Sequence, residues 1–323
     1  MMEAFAEVHR DDVIELLRRT LLPEDVAEAD EIVRRLRGPA DADAGDGLDG
    51  PGPVEPGVVG PAVTGTGRAK PGVVEIEHGR VIGVAFASVG HADPGAGHLD
   101  LIAVDPEYQR RGIGSTLIAA VEDELAALGC TVVRVTGNAP DYVWPGIDVR
   151  YTPAVCAVVA SGYHHDQTAW NMTVDLTDPT SRALRPTDDA ESRLIQGGID
   201  IRSATRRDLA ALLPVVDKEW GGTWVREVSA ARGCHVALQN GEPVAFAAWG
   251  GARSSWFGPM GTLPSVEGLG VGSVLLRRCL QEQAATGIMR AQIGWVGPVP
   301  FYSGAADAFI ERVFFLYRKP LPA

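Results

Sequence analysis

An α/β fold, with helices packed on a mixed sheet and built as two tandem copies of one domain, is what this sequence predicts. Three observations carry the prediction. The chain has 323 residues, as a prior the length of two domains. Two segments align without gaps at a shift of 158 residues: Pro106 lies over Pro264, Gly112-Ile113-Gly114-Ser115 over Gly270-Val271-Gly272-Ser273, and Gly129 over Gly287, with nine identities in 24 positions. In each copy, runs with strand character and runs with helix character follow one another in the same order.

Taken in order, each copy opens on a helical start and continues with two apolar runs around a turn glycine. These are residues 75–86 around His78-Gly79, and residues 236–246 around Asn240-Gly241; a two-residue turn of this type joins antiparallel strands. A third strand then runs into a Gly-rich turn and an amphipathic helix. That helix covers residues 115–128 in the first copy, closed by Gly129, and 273–286 in the second, closed by Gly287, the position where glycine ends helices. A further strand follows, residues 131–135 and 290–295, and then a last helix. Residues 178–198, polar and carrying Pro179, Pro186 and Gly197-Gly198, read as the linker. The boundaries are therefore 1–177 for the N-terminal domain, 178–198 for the linker and 199–323 for the C-terminal domain. Residues 38–72 hold 16 Gly and Pro and no aromatic residue, so they read as a disordered-like insertion that cannot bury enough surface to fold.

Composition removes other classes. Hydrophobic residues make up 46% and charged residues 22%, an ordinary globular balance, and no apolar run approaches the roughly 20 residues of a spanning helix. The first residues lack a basic, then apolar, leader, and a cytoplasmic, non-membrane protein is the expectation. With 29 Lys and Arg against 42 Asp and Glu, the net charge of −13 has the wrong sign for broad binding of nucleic acid. Cys130, Cys156, Cys234 and Cys279 are widely spaced and read as free thiols. His164-His165-Asp166 lacks further spaced ligands, so no metal is expected.

A strand ending in a Gly-rich turn that opens a helix presents unpaired N–H groups and a positive dipole end, which suits phosphate oxygens. Gly268-Leu269-Gly270-Val271-Gly272 is out of register with the dinucleotide fingerprint, and no Walker lysine follows either turn. The fuller string Leu101-Ile102-Ala103-Val104-Asp105-Pro106-Glu107-Tyr108-Gln109-Arg110-Arg111-Gly112-Ile113-Gly114 closely resembles the acyl-CoA-binding motif of the GNAT (GCN5-related) N-acetyltransferase superfamily, Q/R-x-x-G-x-G after a strand ending V-x-P. The resemblance extends over nearly the whole chain as two copies. It implies an N-acyltransferase that uses acetyl-CoA or another acyl-CoA. The turn, Gln109 to Ser115 in the first copy and Gly268, Gly270 and Gly272 in the second, holds the pyrophosphate. The backbones of Ile102, Ala103 and Val104, and of Met260, Gly261 and Thr262, hold the pantetheine arm and its thioester.

The copies differ. The first sets Gln109, Arg110 and Arg111 on its turn; the second has Glu267 and no Lys or Arg between Pro264 and Gly272. A carboxylate repels a pyrophosphate, so the second copy is expected to bind coenzyme A less tightly, or to take phosphopantetheine carried on an acyl or peptidyl carrier protein. The last helix tilts the other way. Phe301-Tyr302-Ser303-Gly304-Ala305-Ala306-Asp307-Ala308 is similar to the family pattern that carries a general-acid tyrosine, whereas the first copy has Val158 at the matching place. The resemblance therefore places the chemistry in the C-terminal domain with Tyr302 as acid. Glu219, Trp220 and Trp224 fall where the family shapes its acceptor pocket, and aromatic walls suit a small-molecule amine. In the first copy His98 and Asp100 alternate along the third strand, where some relatives keep a base, and residues 141–148 are placed to line an opening. A non-catalytic acyl-CoA sensor is the alternative from another functional class.

Overall fold

A computed structural model describes residues 1–38, 69–139 and 141–322. Most of the Gly/Pro-rich stretch lies outside them. Its last residues are paired: Ala87 N donates to Pro71 O at 2.9 Å and Phe5 N to Gly72 O at 2.7 Å. The chain divides into two compact units. Among the described residues, those up to 169 and from 313 on form the first, and residues 170–312 form the second.

In the first unit β1 (Met2–Ala4) leads into the helices α1 (Arg10–Thr20), α2 (Pro23–Val26) and α3 (Ala29–Arg37), then the strands β2 (Gly72–Glu77), β3 (Arg80–Val89) and β4 (Ala96–Val104). Helix α4 (Ile113–Ala127), β5 (Val132–Val135), β6 (Ile147–Asp148), α5 (Thr152–Ala160) and the start of β7 (His164–Asp175) complete this half. His78 and Gly79, with φ of 51° and 74°, turn the chain from β2 to β3, the conformation a two-residue hairpin requires. The sheet order is β1-β2-β3-β4-β5 and then β13 (Phe309–Pro320). Only β4 and β5 of this run pair in parallel.

Each sheet face carries a helical layer. Leu16, Leu17, Ile32 and Val33 of α1 and α3 pack on Val84, Phe86 and Leu101. Leu117, Ile118, Val121 and Leu125, one stripe of α4, pack on Ala85, Leu99 and Val133; each such burial stabilises by roughly 1.5–3 kcal/mol.

The second unit follows the same plan, with α6 (Asp188–Gln196), β8 (Ile199–Ser203), α7 (Arg206–Trp220), α8 (Gly222–Ser229), β9 (Gly233–Gln239), β10 (Glu242–Trp249), β11 (Trp256–Thr262), α9 (Val271–Ala285), β12 (Arg290–Ile293) and α10 (Val299–Ala306). Asn240 and Gly241, with φ of 53° and 85°, repeat the hairpin turn. The sheet runs β8-β9-β10-β11-β12 and ends on the later half of β7, where Arg290 faces Asp175 and Ile293 faces Met172.

Two features depart from the boundaries read in the sequence. Residues 178–198 are folded: Ala183 and Leu194 are buried in the second unit's core, and Arg278 Nε donates to Glu191 at 2.7 Å. The segment's polarity is that of the solvent-facing side of α6. The chain's last strand belongs to the first unit, where Tyr317 faces Val135 and Lys319 faces Val133. There Lys319 Nζ donates to the buried Glu122 carboxylate at 2.6 Å. No helix among the described residues is long and apolar enough to cross a membrane.

Candidate active site

The site of the first unit begins with an irregularity in β4. Phe86 faces Leu101 and Ala87 faces Leu99, so Asp100 is an extra residue with no partner on β3. Such a bulge shifts the alternation of side chains and bends the strand: Leu99 turns to the α4 face and Leu101 to the α1–α3 face. Beside it, β4 pairs with β5 only from Ala96↔Val132 to His98↔Arg134. Past His98 the strands part, and the β4 backbone of residues 102–104 has no strand along that edge.

A cavity of about 520 Å³ fills the opening. It reaches both faces of β4. On the α4 side it is walled by Ile102, Val104, Gly114, Ala154 and Ala157, and on the α1–α3 side by Leu21, Leu36, Leu101, Val143 and Trp144. Residues 142–144 and 146–148 line it, as the sequence suggested for this loop. Asp148 is committed elsewhere, holding Arg150 Nη2 at 2.8 Å, and Arg150 also pairs with Glu24 at 2.5 Å. The Tyr151 hydroxyl accepts from Leu22 N at 2.8 Å. These bonds fasten the α1–α2 connection to the start of α5.

The Gly-rich turn forms the rim. Gly112 has φ of +83°, and a Cβ there would meet nothing within 4 Å, so its backbone stands open to a ligand. The first helical bond is Thr116 N to Gly112 O at 3.1 Å, which leaves the preceding N–H groups as a phosphate cradle. The three polar residues of the turn play different parts. Gln109 Nε2 donates to Val104 O at 3.0 Å and braces the turn, while Arg111 donates to Glu107 O at 2.9 Å and lies 4.8 Å above the Tyr108 ring. Arg110, exposed and at φ of 63°, makes no ion pair among the described residues. Below the rim, a Cβ on Gly114 would have Ile102 and Val104 at 3.9 Å and Ala157 at 4.0 Å, all ordinary contact distances.

Asp100, the extra residue of the β4 bulge, lines the cavity. Burial raises its carboxyl to about 7, against the lowering pull of the Ser88 hydroxyl and the Lys70 ammonium. Ser88 is itself held by Asn138, whose Nδ2 donates to Ser88 Oγ at 2.8 Å. His98 is placed otherwise. Its Nδ1 lies 3.0 Å from Thr136 O, burial lowers its pKa, and it does not line the cavity.

The second unit repeats the bulge with different contents. Ala247 faces Met260 and Trp249 faces Phe257, leaving Gly258-Pro259 as the irregular pair, and β11 meets β12 only at Trp256↔Gln292 and Phe257↔Ile293. Gly258 stands 158 residues after Asp100, so the second copy has no carboxylate there. Gly268 and Gly270 have φ of +74° and +88° and are open, as in the first turn, but exposed Glu267 precedes them. A Cβ on Gly272 would meet Met260 Cε and Phe301 Cζ at 3.4 Å, where the first unit has Ala157 at 4.0 Å. Trp220 lies within 2.6 Å of a Cβ placed on Gly261, on the strand flanked by Met260 and Thr262. It stacks on Trp224 at 5.8 Å, and both rings meet Phe246 edge-on. Glu219 is exposed and paired with Lys218 at 2.8 Å. Tyr302 is buried, edge-on to Phe301 at 5.0 Å and Phe257 at 6.2 Å, and burial pushes its hydroxyl up to about 12.

The structure thus gathers Ile102, Ala103, Val104, Gln109, Arg110 and the Gly112–Ser115 turn at one cavity, together with Asp100. It places Trp220, Trp224 and Tyr302 in packed aromatic clusters. The contrast between Ala157 and Phe301 was readable as a size difference in the sequence, but its meaning depends on the glycine each residue faces.

Residues 65–141 match the family model described as Acetyltransferase (GNAT) family. The chain matches no curated protein in sequence. Among solved structures it is similar to a GCN5-related glucosamine N-acetyltransferase region of a fungal multi-domain GH3 β-N-acetylglucosaminidase (TM-score 0.71, 15% identity, covering 99% of this chain and 38% of that one). It is also similar to a tandem GNAT protein from the clavulanic acid biosynthesis pathway (0.64, 15%, covering 100% and 99%). A GCN5-related N-acetyltransferase from Sphaerobacter thermophilus matches at 0.62 and 16% identity, covering 99% and 95%.

Proposed function

We propose that this chain, whose residues 65–141 match the GNAT family model and which shares its fold with a tandem GNAT protein, is a tandem-domain N-acyltransferase whose chemistry takes place in the first unit, from an acyl-CoA to the amine of a small molecule. The observation that carries this reading is the open cavity through the β4–β5 gap, lined by Asp100. The sequence pointed instead to the second unit through Tyr302, which lies in a packed core.

The residues fit an acyl-CoA. The turn at Gly112, the charge of Arg110 and the slot beside Gly114 offer places for phosphates and for a slim arm. Bound there, an acyl-CoA supplies an acyl carbon already activated as a thioester. The unpaired edge of β4 at residues 102–104 presents backbone N–H groups that favour the negative charge developing on a carbonyl oxygen. Asp100, ionised, accepts a proton from the attacking amine as its nitrogen bonds to the acyl carbon, and the carbon–sulfur bond of the thioester breaks so that coenzyme A leaves as its thiolate. Ser88 and Asn138 orient that carboxylate. Apolar walls on both sides exclude water, which would otherwise compete as nucleophile.

The second unit shares the turn geometry without the cation or the carboxylate. Glu267 favours a donor with fewer phosphates, such as carrier-borne phosphopantetheine, whereas Phe301 and Met260 narrow the slot beside Gly272. Calorimetric titration with acetyl-CoA tests the assignment. Gly112→Asp should abolish the tight site and Gly270→Asp should leave it intact. Tight binding and turnover that survive Gly112→Asp but are lost in Gly270→Asp would move the chemistry to the second unit, with Tyr302→Phe as the confirming variant.

A further inference from the structure

We infer that the acceptor is a primary amine carried on an apolar aryl or alkyl body, selected by the chamber on the α1–α3 side of β4. This rests on the reading that the first unit carries the chemistry.

The cavity passes through the sheet, so its two ends meet different partners. The α4 end is formed by the turn and the slot beside Gly114. An amine approaching the same carbon comes from the other end, where Leu21, Leu36, Leu101, Val143 and Trp144 form the wall. Several polar groups there are bonded within the protein. Thr20 Oγ1 donates to Leu16 O at 3.0 Å, the Tyr151 hydroxyl accepts from Leu22 N, and Arg150 is held by Asp148 and Glu24. Asp100 lines the cavity at the β4 bulge, whereas the other lining carboxylate, Asp148, is paired with Arg150.

A ligand complementary to this surface has one cationic or nucleophilic nitrogen and otherwise hydrocarbon. The apolar body is drawn from water by the leucines and Trp144, and the nitrogen is guided to Asp100. A hydroxyl-rich sugar amine or a polyamine leaves several donors and acceptors without partners against these walls, each lowering transition-state binding by roughly tenfold.

The test uses the full chain with acetyl-CoA and four acceptors: 2-phenylethylamine, hexylamine, glucosamine and spermidine. Rates are compared as kcat/KM for the neutral amine. The two apolar amines should exceed glucosamine and spermidine by about 100-fold. Trp144→Ala should raise KM for 2-phenylethylamine about tenfold with kcat little changed, and Trp144→Phe should restore it. Preference for glucosamine or spermidine, or no turnover of either apolar amine, overturns the inference. So does tighter binding of octanoyl-CoA that competes with 2-phenylethylamine, because the walls would then serve the acyl chain. Gly112→Asp separates the two levels: if it leaves turnover intact the site assignment fails, whereas if it abolishes turnover of a polar amine only the acceptor class fails.

Discussion

Replacing Asp100 by Asn removes the carboxylate and nearly nothing else, and its consequences can be worked out for both rate and stability. With its carboxyl at about 7, roughly a tenth of the wild type carries an ionised Asp100 at pH 6 and nine-tenths at pH 8. Acyl transfer should therefore rise about tenfold between these pH values, measured as release of free coenzyme A with a weakly basic amine that stays neutral throughout. Asp100→Asn should flatten that profile and lower turnover by about 10²–10³-fold, the range of a lost general base. Stability should move the opposite way. In the folded chain the carboxyl titrates at about 7 rather than at its ordinary 3.8; a raised acid pKa means that the folded state binds the proton more tightly, so wild type loses stability as pH climbs from about 4 to 7. Three units at 1.36 kcal/mol each set an upper bound of about 4 kcal/mol. Because one edge of the side chain faces the cavity, about 2 kcal/mol is the expected gain of Asp100→Asn at pH 8, vanishing near pH 4 in thermal melts. A variant that keeps wild-type turnover and its pH profile, or that melts lower than wild type at pH 8, would refute the reasoning.

Three further outcomes follow from the geometry. Ala157→Phe builds into the first unit the ring that faces Gly272 in the second, and should weaken acetyl-CoA binding by about 100-fold in calorimetry, roughly 2.7 kcal/mol, with the fold intact by circular dichroism. Cys156 is exposed on the cavity wall whereas Cys130, Cys234 and Cys279 are buried; a thiol reagent should label one cysteine in the folded protein, and saturating acetyl-CoA should slow that labelling at least tenfold. Asp208 caps α7 through Thr205 N at 2.9 Å and pairs with Arg202 at 2.8 Å, which together hold its carboxyl down at about 2. Asp208→Asn should cost about 1–2 kcal/mol in urea denaturation at pH 7. Since a depressed pKa stabilises above the unfolded value, that difference should fade as pH drops from about 4 to 2.

Local chemistry was the legible part of the sequence. The paired turns at His78-Gly79 and Asn240-Gly241, the stripes of α4 and α9, and the glycines at 112 and 270 each announce themselves within a few residues. The partner of the final strand did not, because pairing of Tyr317 with Val135 links positions far apart in sequence, and strand-forming residues 313–320 would suit either sheet. Asp100 was visible as one of two alternating polar residues with His98. The bulge that separates their fates is a matter of register between β3 and β4, which no spacing within β4 reports. The aromatic segment around Trp220 read as a pocket because aromatic walls and aromatic plugs have the same composition; in the structure Trp220 stacks on Trp224 and meets Phe246 edge-on, with both tryptophans partly buried.

The placement of residues 313–320 beside β5 also sets a timetable for synthesis. Ala169 ends the first unit's main segment and Val313 begins its last one, so the ribosome makes the whole intervening stretch before the first sheet can be finished. At roughly 5–20 residues per second this is a wait of about 7–30 s. During it, the β5 edge and the Glu122 carboxylate lack the strand and the lysine that later cover them. A nascent chain in this interval offers an open sheet edge to chaperones or to other chains. A gene fragment cut after residue 169 would carry the same vacancy permanently, and a synthetic peptide of residues 313–320 is the natural candidate to fill it in trans.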